Sequence, residues 1–326
     1  MSCLVEKFAP DTVEMRQAYC DALIAEAKVN DKLMVIDADV SHSVGTGRFY
    51  AAFPERAVNC GIMEAQAVGM SAGLSATGLV PFFHAFGVFA TRRVFDQLFL
   101  SCAYQDLNVK IIGADPGVTA ATNGGTHMPF EDLGLMRLIP GATVIEPADS
   151  TMYASVVHQM AEKYGVFYLR TSRRVTTKLY RDGTEFKIGK AMRLYEGKDV
   201  CLIACGIMVY EALKARELLK AEGIDAGVID MHTLKPLDND AVLDAAKRCG
   251  AIVTAENHNA VGGLGSAVSE LLGAEYPTPI ERVGVFESFG EVGTQAFLQE
   301  RFRLTAAEIA RKAKICIERK GGNKRS

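Results

Sequence analysis

Several familiar signals are missing from this chain of 326 residues. Its eight cysteines include no C-x-x-C pair, so we interpret them as reduced, mostly buried thiols rather than metal ligands. No apolar run approaches the roughly 20 residues that a membrane span requires. The first ten residues also lack the basic and apolar regions of a signal peptide. These absences predict a globular protein of the cytoplasm with no membrane partner.

An excess of charge of one sign is also missing. The formal net charge is −3, and the basic run at residues 319–326 is short enough to be interpreted as a solvated terminus. Neither feature offers nucleic acid an extended basic surface. We therefore expect no nucleic-acid partner.

Apolar strands alternate with helices along most of the chain, which indicates parallel sheets covered on both faces. In the first half we predict strands over residues 33–37, 80–83, 109–114, 143–146 and 166–170, and helices over 12–30, 61–76, 88–103, 131–139 and 150–163. In the second half we predict strands over residues 200–205, 227–230, 251–255 and 281–285, and helices over 209–221, 238–247, 264–272 and 306–318. The predicted fold class is α/β, with two doubly wound, mainly parallel sheets.

The length and the 49% hydrophobic content suit about two domains with sizeable cores. The alternation lapses over residues 176–197, which are polar and contain the turn signal Asp182-Gly183. We therefore predict a first domain over residues 1–180, a linker over 181–197 and a smaller second domain over 198–326.

One acidic residue, Glu64, stands in an otherwise uncharged stretch that covers residues 59–78, NCGIMEAQAVGMSAGLSATG. Asn59 is suited to capping, and the small residues that follow let another backbone approach closely, so we predict a buried helix. The simplest interpretation of Glu64 is a favourable interaction between its charge and the helix dipole. The motifs that follow along the chain favour a functional role instead.

Four motifs occur in order along the chain: GIMEAQAVGMSAGLS, the aromatic segment FFHAFGVFATR, NGGTHMPFEDLGLMRLIPG and AENHNAVGGLGSAVSELL. They resemble the motifs of the transketolase family, which has GIxExxAVGMAAGLA in its pyrimidine-binding domain, then an aromatic segment, DGPTHQPxEDLxxLRxIPN and EEHNxxGGLGSAVAE. The resemblance covers most of the chain. It implies a pyrimidine-binding domain over residues 1–180 and a transketolase C-terminal domain over residues 198–326.

The resemblance implies thiamine diphosphate as the cofactor. In the family, the counterpart of Glu64 hydrogen-bonds N1′ of the aminopyrimidine and favours the tautomer that activates the cofactor, so Glu64 is expected to be both catalytic and cofactor-binding. Aromatic residues matching Phe86 and Phe89 stack on and around the aminopyrimidine, and Asp39 matches a position near the thiazolium. Arg92 stands where many members have a further aromatic residue. The cofactor supplies the carbanion chemistry, and the protein sets the tautomer and the bound conformation of the cofactor.

The same resemblance implies substrate contacts. His127 matches a histidine that hydrogen-bonds reacting oxygens of the substrate and assists proton transfer, so we expect it to be catalytic. Arg16, Ser43 and Arg173 match positions that hold the sugar phosphate, and an arginine fork suits phosphate oxygens.

Two further substrate positions depart from the family pattern. Asp115 occupies a position that is often histidine, and Asn123 replaces an aspartate that reads the configuration of a substrate hydroxyl. Asp115 could equally be a loop residue that turns the chain before Pro116. A negative charge near a phosphate is unfavourable, so these departures disfavour the ordinary pentose phosphate substrates.

The family binds Mg²⁺ and the diphosphate with a GDG loop followed by Asn, and this chain contains no such segment. We therefore expect no metal ligands here and predict the C-terminal subunit of a split transketolase. An N-terminal partner subunit would supply the diphosphate and Mg²⁺ site, with the cofactor at the interface of an α2β2 assembly. The predicted reaction transfers a two-carbon ketol unit from a ketose, or its phosphate, to an aldose, or its phosphate.

Other interpretations stay open at this stage. One is the β subunit of a 2-oxo acid dehydrogenase or a deoxyxylulose-phosphate synthase-like enzyme, although the Gly-Thr before His127 favours transketolase. Another is a non-catalytic scaffold, which retention of Glu64, Phe86, Phe89 and His127 disfavours. A nucleotide site at the glycine-rich run 262–267 is disfavoured because Val268 takes the third position of G-x-G-x-x-G.

Overall fold

The structure is a computed structural model that describes residues 3–322. Its strands are β1 (Leu4–Pro10), β2 (Leu33–Asp37), β3 (Ala57–Asn59), β4 (Val80–Phe86), β5 (Lys110–Ala114), β6 (Thr143–Ile145), β7 (Phe167–Thr171), β8 (Thr177–Tyr180), β9 (Met192–Tyr195), β10 (Val200–Ala204), β11 (Ala226–Asp230), β12 (Thr233–Lys235), β13 (Ile252–Asn259) and β14 (Ile280–Val285). Its α-helices are α1 (Met15–Ala27), α2 (Ser41–Val44), α3 (Gly47–Ala52), α4 (Glu64–Ala76), α5 (Gly87–Ala90), α6 (Phe95–Gln97), α7 (Asp132–Leu138), α8 (Met152–Glu162), α9 (Met208–Ala221), α10 (Asn239–Cys249), α11 (Leu264–Glu275), α12 (Gln295–Arg301) and α13 (Ala306–Gly322). Residues 323–326 of the predicted basic terminus lie outside the described residues.

The larger sheet has seven strands in the order β12-β6-β7-β5-β4-β2-β3. Every neighbouring pair is parallel except β12 with β6. Strands β5 and β7 are buried along their whole length, as expected where helices cover both faces. Because six of the seven strands run parallel, their carboxyl ends lie at the same edge of the sheet.

The second sheet has five strands in the order β14-β13-β10-β11-β9, and only β9 is antiparallel to its neighbour. Strands β1 and β8 form a separate antiparallel pair. The predicted α/β class with two mainly parallel sheets is confirmed. Within residues 3–322, no helix is long and apolar enough to cross a membrane.

Several details differ from the predicted elements. The polar stretch 176–197 contains strands β8 and β9, and β12 of the second half joins the first sheet. The predicted helix over residues 88–103 is broken into α5, a 3₁₀ turn, α6 and a π-helical segment, Leu98–Ala103. It breaks at Thr91, whose backbone is non-helical and whose hydroxyl donates to the carbonyl of Gly87 at 2.7 Å.

A buried ionic network, centred on Arg170 of β7, joins the two sheets. Its guanidinium donates to Asp132 Oδ2 at 2.8 Å and to Glu146 Oε1 at 2.9 Å. It also donates to the backbone carbonyl of Asn257 on β13, at 3.1 Å. The hydroxyl of Tyr168 adds a hydrogen bond to Asp132 at 2.6 Å. These contacts hold α7, the first sheet and the second sheet together.

We expect the free energy of unfolding to decrease at acidic pH, in part because of His258, whose side chain is fully buried. Burial, aided by the charge of Arg170, lowers the pKa of His258 to about 4. The folded protein keeps this ring neutral, whereas the unfolded chain binds a proton below the ordinary pKa of about 6.5. The stabilisation is therefore complete above pH ~6.5 and is lost as the pH falls towards ~4. His258→Gln should reduce the loss of unfolding free energy between pH ~7 and ~4.5 by about 1–2 kcal/mol.

Urea unfolding across this pH range measures the effect. His158→Gln is the matched control, because the His158 side chain is 55% exposed and its pKa is raised by a hydrogen bond to Glu26. Identical pH profiles for the wild type and His258→Gln would contradict the prediction.

Candidate active site

The carboxyl edge of the first sheet brings most of the predicted site residues together. Asp39 follows β2, Phe86 ends β4, Asp115 follows β5 and Arg173 follows β7, and these strands are neighbours in the sheet. Glu64 begins α4, which follows β3 at the same edge. Open α/β sheets bind ligands in the crevice outside the carboxyl ends of their strands.

Glu64 is the first residue of α4 and is only 4% exposed. Its Oε1 accepts a hydrogen bond from Nη1 of Arg93 at 2.8 Å. The guanidinium of Arg93 also lies over the ring of Phe89, 3.8 Å from its centre. The carboxylate is thus held at the site by an arginine that is itself 45% exposed.

Phe86, Phe89 and His127 form a cluster of three rings, which we call the ring cluster. The imidazole lies 5.4 Å from the Phe86 ring and 5.1 Å from the Phe89 ring, edge to face in both cases. The two phenylalanine rings are 6.5 Å apart. All three side chains are only partly buried, so the cluster presents aromatic surface to a flat ligand.

Asp115 and Arg173 pair with each other beside the ring cluster. Nε of Arg173 lies 2.5 Å from Asp115 Oδ2, and its guanidinium carbon lies 5.5 Å from the centre of the Phe86 ring. Asp115 is 1% exposed and has a left-handed φ of 56°. Burial raises the pKa of Asp115, and the charge of Arg173 opposes that rise. Asp115 therefore turns the chain and also partly neutralises the arginine.

Arg16 and Ser43 form a second group. Nη1 of Arg16 donates to the backbone carbonyls of His42 and Ser43, at 3.3 and 3.4 Å. Its Nε pairs with Glu14 at 2.7 Å. These contacts tie α1 to α2. Within residues 3–322, no hydrogen bond or ion pair joins this group to the ring cluster.

Asp39 is exposed and has a φ of 58°. Its backbone N–H donates to Asn59 Oδ1 at 3.0 Å, and Asn59 Nδ2 donates back to Asp39 Oδ1 at 3.1 Å. Asn59 also accepts from the backbone of Gly61 at 2.9 Å. Its side chain therefore orders the loop instead of capping the helix, and α4 begins at Glu64 rather than at residue 61 as predicted.

Asn123 ends the 3₁₀ segment Gly117–Asn123 and is partly buried. Its side-chain amide makes no hydrogen bond within the described part of the chain. It lies in the loop that also carries His127.

Asn257, from the second sheet, anchors the loop that carries Asn123 and His127. Its Nδ2 donates to the carbonyl of Pro116 and its Oδ1 accepts from the N–H of Val118, both at 2.9 Å. Between them Gly117 has a φ of 51°, and a Cβ there would lie 2.2 Å from Asn257 Oδ1, so only glycine fits. Sequence analysis assigned Asn257 no role, because no local pattern marks so distant a contact.

Arg93 is the second residue that sequence analysis missed. Its neighbour Arg92 pairs instead with Glu131, at 2.9 Å. The sequence does not distinguish between two adjacent arginines. The backbone conformation after α5 determines which of them contacts Glu64.

Comparisons with known proteins identify the family of this chain. Residues 11–178 match the family model described as transketolase, pyrimidine binding domain, and residues 189–309 match the model described as transketolase, C-terminal domain. Together the two matches span most of the chain. This chain belongs to the transketolase family.

Relatives in the transketolase family include separate subunits. The chain is 48% identical to the 6-deoxy-6-sulfo-D-fructose transketolase subunit SqwH of Clostridium sp. (strain MSTE9), covering 94% of this chain and 95% of that protein. It is 34% identical to an apulose-4-phosphate transketolase subunit of Phocaeicola vulgatus, covering 85% and 89%. A solved structure titled "Split gene transketolase, inactive beta4 tetramer" matches with a TM-score of 0.87 and 40% identity, covering 94% of this chain and 99% of that one.

These findings confirm a transketolase-type C-terminal subunit, a transferase that corresponds to one part of a split enzyme. They do not favour the dehydrogenase, synthase or scaffold alternatives. Family membership implies dependence on thiamine diphosphate.

The residues present fit the aminopyrimidine end of that cofactor. A nearly buried carboxylate, Glu64, can hydrogen-bond a ring nitrogen, and the ring cluster beside it can pack against a flat heterocycle. For the diphosphate end, no group of three or more His, Cys, Asp or Glu side chains among residues 3–322 is placed to hold a metal ion.

Proposed function

We propose that this chain works with a separate N-terminal subunit as a split transketolase that transfers a two-carbon ketol unit from a ketose to an aldose. The partner supplies the Mg²⁺ and diphosphate site, and the assembly is α2β2 in the cytoplasm. The observation that carries the proposal is the convergence of Glu64, the ring cluster and the Asp115–Arg173 pair at one edge of the first sheet.

Each residue has a chemical task in this proposal. When bound, thiamine diphosphate supplies the carbanion chemistry of the transfer. Glu64 holds a proton at N1′ of the aminopyrimidine, and Phe86 and Phe89 orient that ring. His127 exchanges a proton with a reacting oxygen of the substrate, with its Nδ1 held 2.9 Å from Thr126 Oγ1. Asp39 would contact the thiazolium end of the cofactor, and Asn123 would bind a substrate hydroxyl.

We further propose that the donor carries a terminal sulfonate. Asp115 cancels part of the positive charge of Arg173, with which it makes a 2.5 Å contact. A phosphate ester at pH 7 carries nearly two negative charges and is repelled by Asp115 more strongly than a sulfonate, which carries one. Arg16 and Ser43 lie on the neighbouring segments and complete the anion site. The similarity to the sulfofructose transketolase subunit supports this choice.

The test begins by purifying the chain together with its partner subunit. Thiamine diphosphate with Mg²⁺ is titrated into the pair and into the chain alone, and ketol transfer to an aldose phosphate is followed. We expect tight cofactor binding by the pair only, and a higher kcat/KM with 6-deoxy-6-sulfofructose than with fructose 6-phosphate. Tight binding by the chain alone would contradict the split site, and preference for the phosphate would contradict the sulfonate.

Asp115→Asn probes the substrate charge directly. Removing the negative charge should raise kcat/KM for fructose 6-phosphate relative to 6-deoxy-6-sulfofructose by about tenfold, equivalent to roughly 1.4 kcal/mol. Asp106→Asn, a matched exposed control, should leave the ratio unchanged. An unchanged ratio in Asp115→Asn would mean that this carboxylate does not face the substrate's anionic group.

Arg93→Met probes the access of the cofactor to Glu64. Arg93 occupies one oxygen of the Glu64 carboxylate, Oε1, and a face of Phe89, so it competes with a bound aminopyrimidine for both groups. The Arg93→Met subunit, assembled with its partner, should bind thiamine diphosphate up to about fivefold more tightly by titration calorimetry, since a competing ion pair worth at most about 1 kcal/mol is removed. The matched control is Arg92→Met, which breaks only the pair with Glu131. Weaker binding in Arg93→Met would show that the arginine holds the cofactor.

A further inference from the structure

A second concave site lies in the C-terminal half, at the carboxyl end of the edge strand β14. It is a cavity of about 420 Å³ between β14, α12, α13 and the segment after β14. We call it the edge cavity. Its volume lies within the range of small-molecule sites, and the carboxyl end of a parallel strand is where α/β sheets bind ligands. It is separate from the residues of the candidate active site.

Positive charge dominates the walls of the edge cavity. Five cationic side chains line it, against one carboxylate, Glu308: they are Arg282, Arg301, Arg303, Arg311 and Lys312. Including the acidic partners just outside, Glu281 and Glu291, three carboxylates face five cations. At least two positive charges are therefore left unbalanced.

Two arginines carry this excess charge. Arg282 uses its Nη1 on the backbone carbonyl of Ala260, at 2.9 Å, and has no carboxylate partner in the described part of the chain. Arg303 has neither an ion pair nor a side-chain hydrogen bond among residues 3–322, and its backbone is left-handed with a φ of 57°. A guanidinium without a bonded carboxylate at a concave site is suited to binding phosphate or sulfonate oxygens in a fork.

Apolar surface completes the site. Phe286, which is 52% exposed, and Phe302 line the same cavity. We infer that the edge cavity binds a small molecule that joins a phosphate or sulfonate group to an apolar or ring portion, with Arg303 and Arg282 on the anion. This inference goes beyond the proposed reaction, which does not use these residues.

The edge cavity is connected to the active-site loop by the segment after β14. Phe286 and Ser288 line the cavity, and Gly290 of the same segment packs on Gly125, close to His127 in sequence. The fit is tight: a Cβ on Gly125 would lie 2.3 Å from the carbonyl oxygen of Gly290, and a Cβ on Gly290 would lie 2.8 Å from the sulfur of Met128. A ligand that orders residues 286–290 therefore also restricts the loop that carries His127.

The test titrates the full chain with inorganic phosphate and with phenyl phosphate, using phenol as the uncharged control. We expect phenyl phosphate to bind more tightly than inorganic phosphate, with a salt-dependent Kd, and phenol not to bind. Arg303→Ala should weaken phenyl phosphate binding about tenfold, since it removes a charge-assisted contact. The matched control, Arg193→Ala at the opposite edge of the same sheet, should leave the Kd unchanged, and Arg173→Ala separates binding at the candidate active site from binding at the edge cavity.

Hydrogen–deuterium exchange of the same samples measures the connection to the active site. Saturating phenyl phosphate should slow exchange over residues 286–294 and also over residues 123–130, and neither change should occur in Arg303→Ala. Equal affinity in the wild type and Arg303→Ala, or loss of binding in Arg173→Ala alone, would overturn the site. Protection limited to residues 286–294 would overturn the connection to His127.

Discussion

Glu64→Gln in the assembled pair is expected to reduce kcat by about 10³-fold, within the range typical of a lost acid–base group. The amide has nearly the same shape, so it keeps its place at the start of α4, but it cannot hold the proton that N1′ of the aminopyrimidine requires. The effect should therefore fall on kcat more than on the KM of either sugar. Steady-state kinetics at saturating thiamine diphosphate measure it.

Two further measurements make this result interpretable. Calorimetry should still detect thiamine diphosphate binding, because Phe86 and Phe89 remain, and the thermal midpoint should match the wild type. Glu55→Gln, at an exposed glutamate before β3, provides the matched control and should keep full activity. Full activity in Glu64→Gln would remove Glu64 from the mechanism and return the scaffold hypothesis to consideration.

Sequence periodicity predicted the central strands of both main sheets, but it missed the edge strands β3, β9 and β12 and the separate pair of β1 and β8. Strand β2 was predicted with its observed ends, because five apolar or buried residues stand between clear turn signals. Strands β3 and β12, three residues each, lie at the two edges of the first sheet and escaped prediction. Strand β9 escaped because an edge strand with alternating exposed residues resembles a polar linker.

The residues of the candidate site also divide into those that sequence analysis predicted and those that it missed. Glu64, Phe86, Phe89 and His127 were predicted because each stands in a motif that resembles a motif of the transketolase family. Their partners could not be predicted, since these come from distant segments.

Arg93 on Glu64, Arg173 on Asp115 and Asn257 on the loop of His127 are contacts made by the fold. The sequence does not encode their proximity in any local pattern. Asp115 and Arg173 carry opposite charges, and both were predicted to contact the substrate. Because they pair with each other, the positive charge that Arg173 presents to the substrate is reduced.

Arg170→Met is expected to lower the free energy of unfolding by about 3–5 kcal/mol, because it leaves the buried carboxylates of Asp132 and Glu146 without their cation. The matched control is Arg193→Met, which breaks an ion pair with Asp244 whose side chains are 43% and 47% exposed, and it should cost less than about 1 kcal/mol. Urea unfolding of the two variants at pH 7 measures the difference.

The double variant Arg170→Met with Asp132→Asn separates lost attraction from uncompensated charge. If the cost comes from a carboxylate left buried and unpaired, neutralising Asp132 should recover about 1–2 kcal/mol of the loss. Because Asp132 begins α7, directly after the loop of His127, and Arg170 also binds the carbonyl of Asn257, kcat should fall in Arg170→Met even where the protein remains folded. Equal stability of Arg170→Met and Arg193→Met would contradict this role, and it would leave Asn257 alone to hold the loop of His127 on the second sheet.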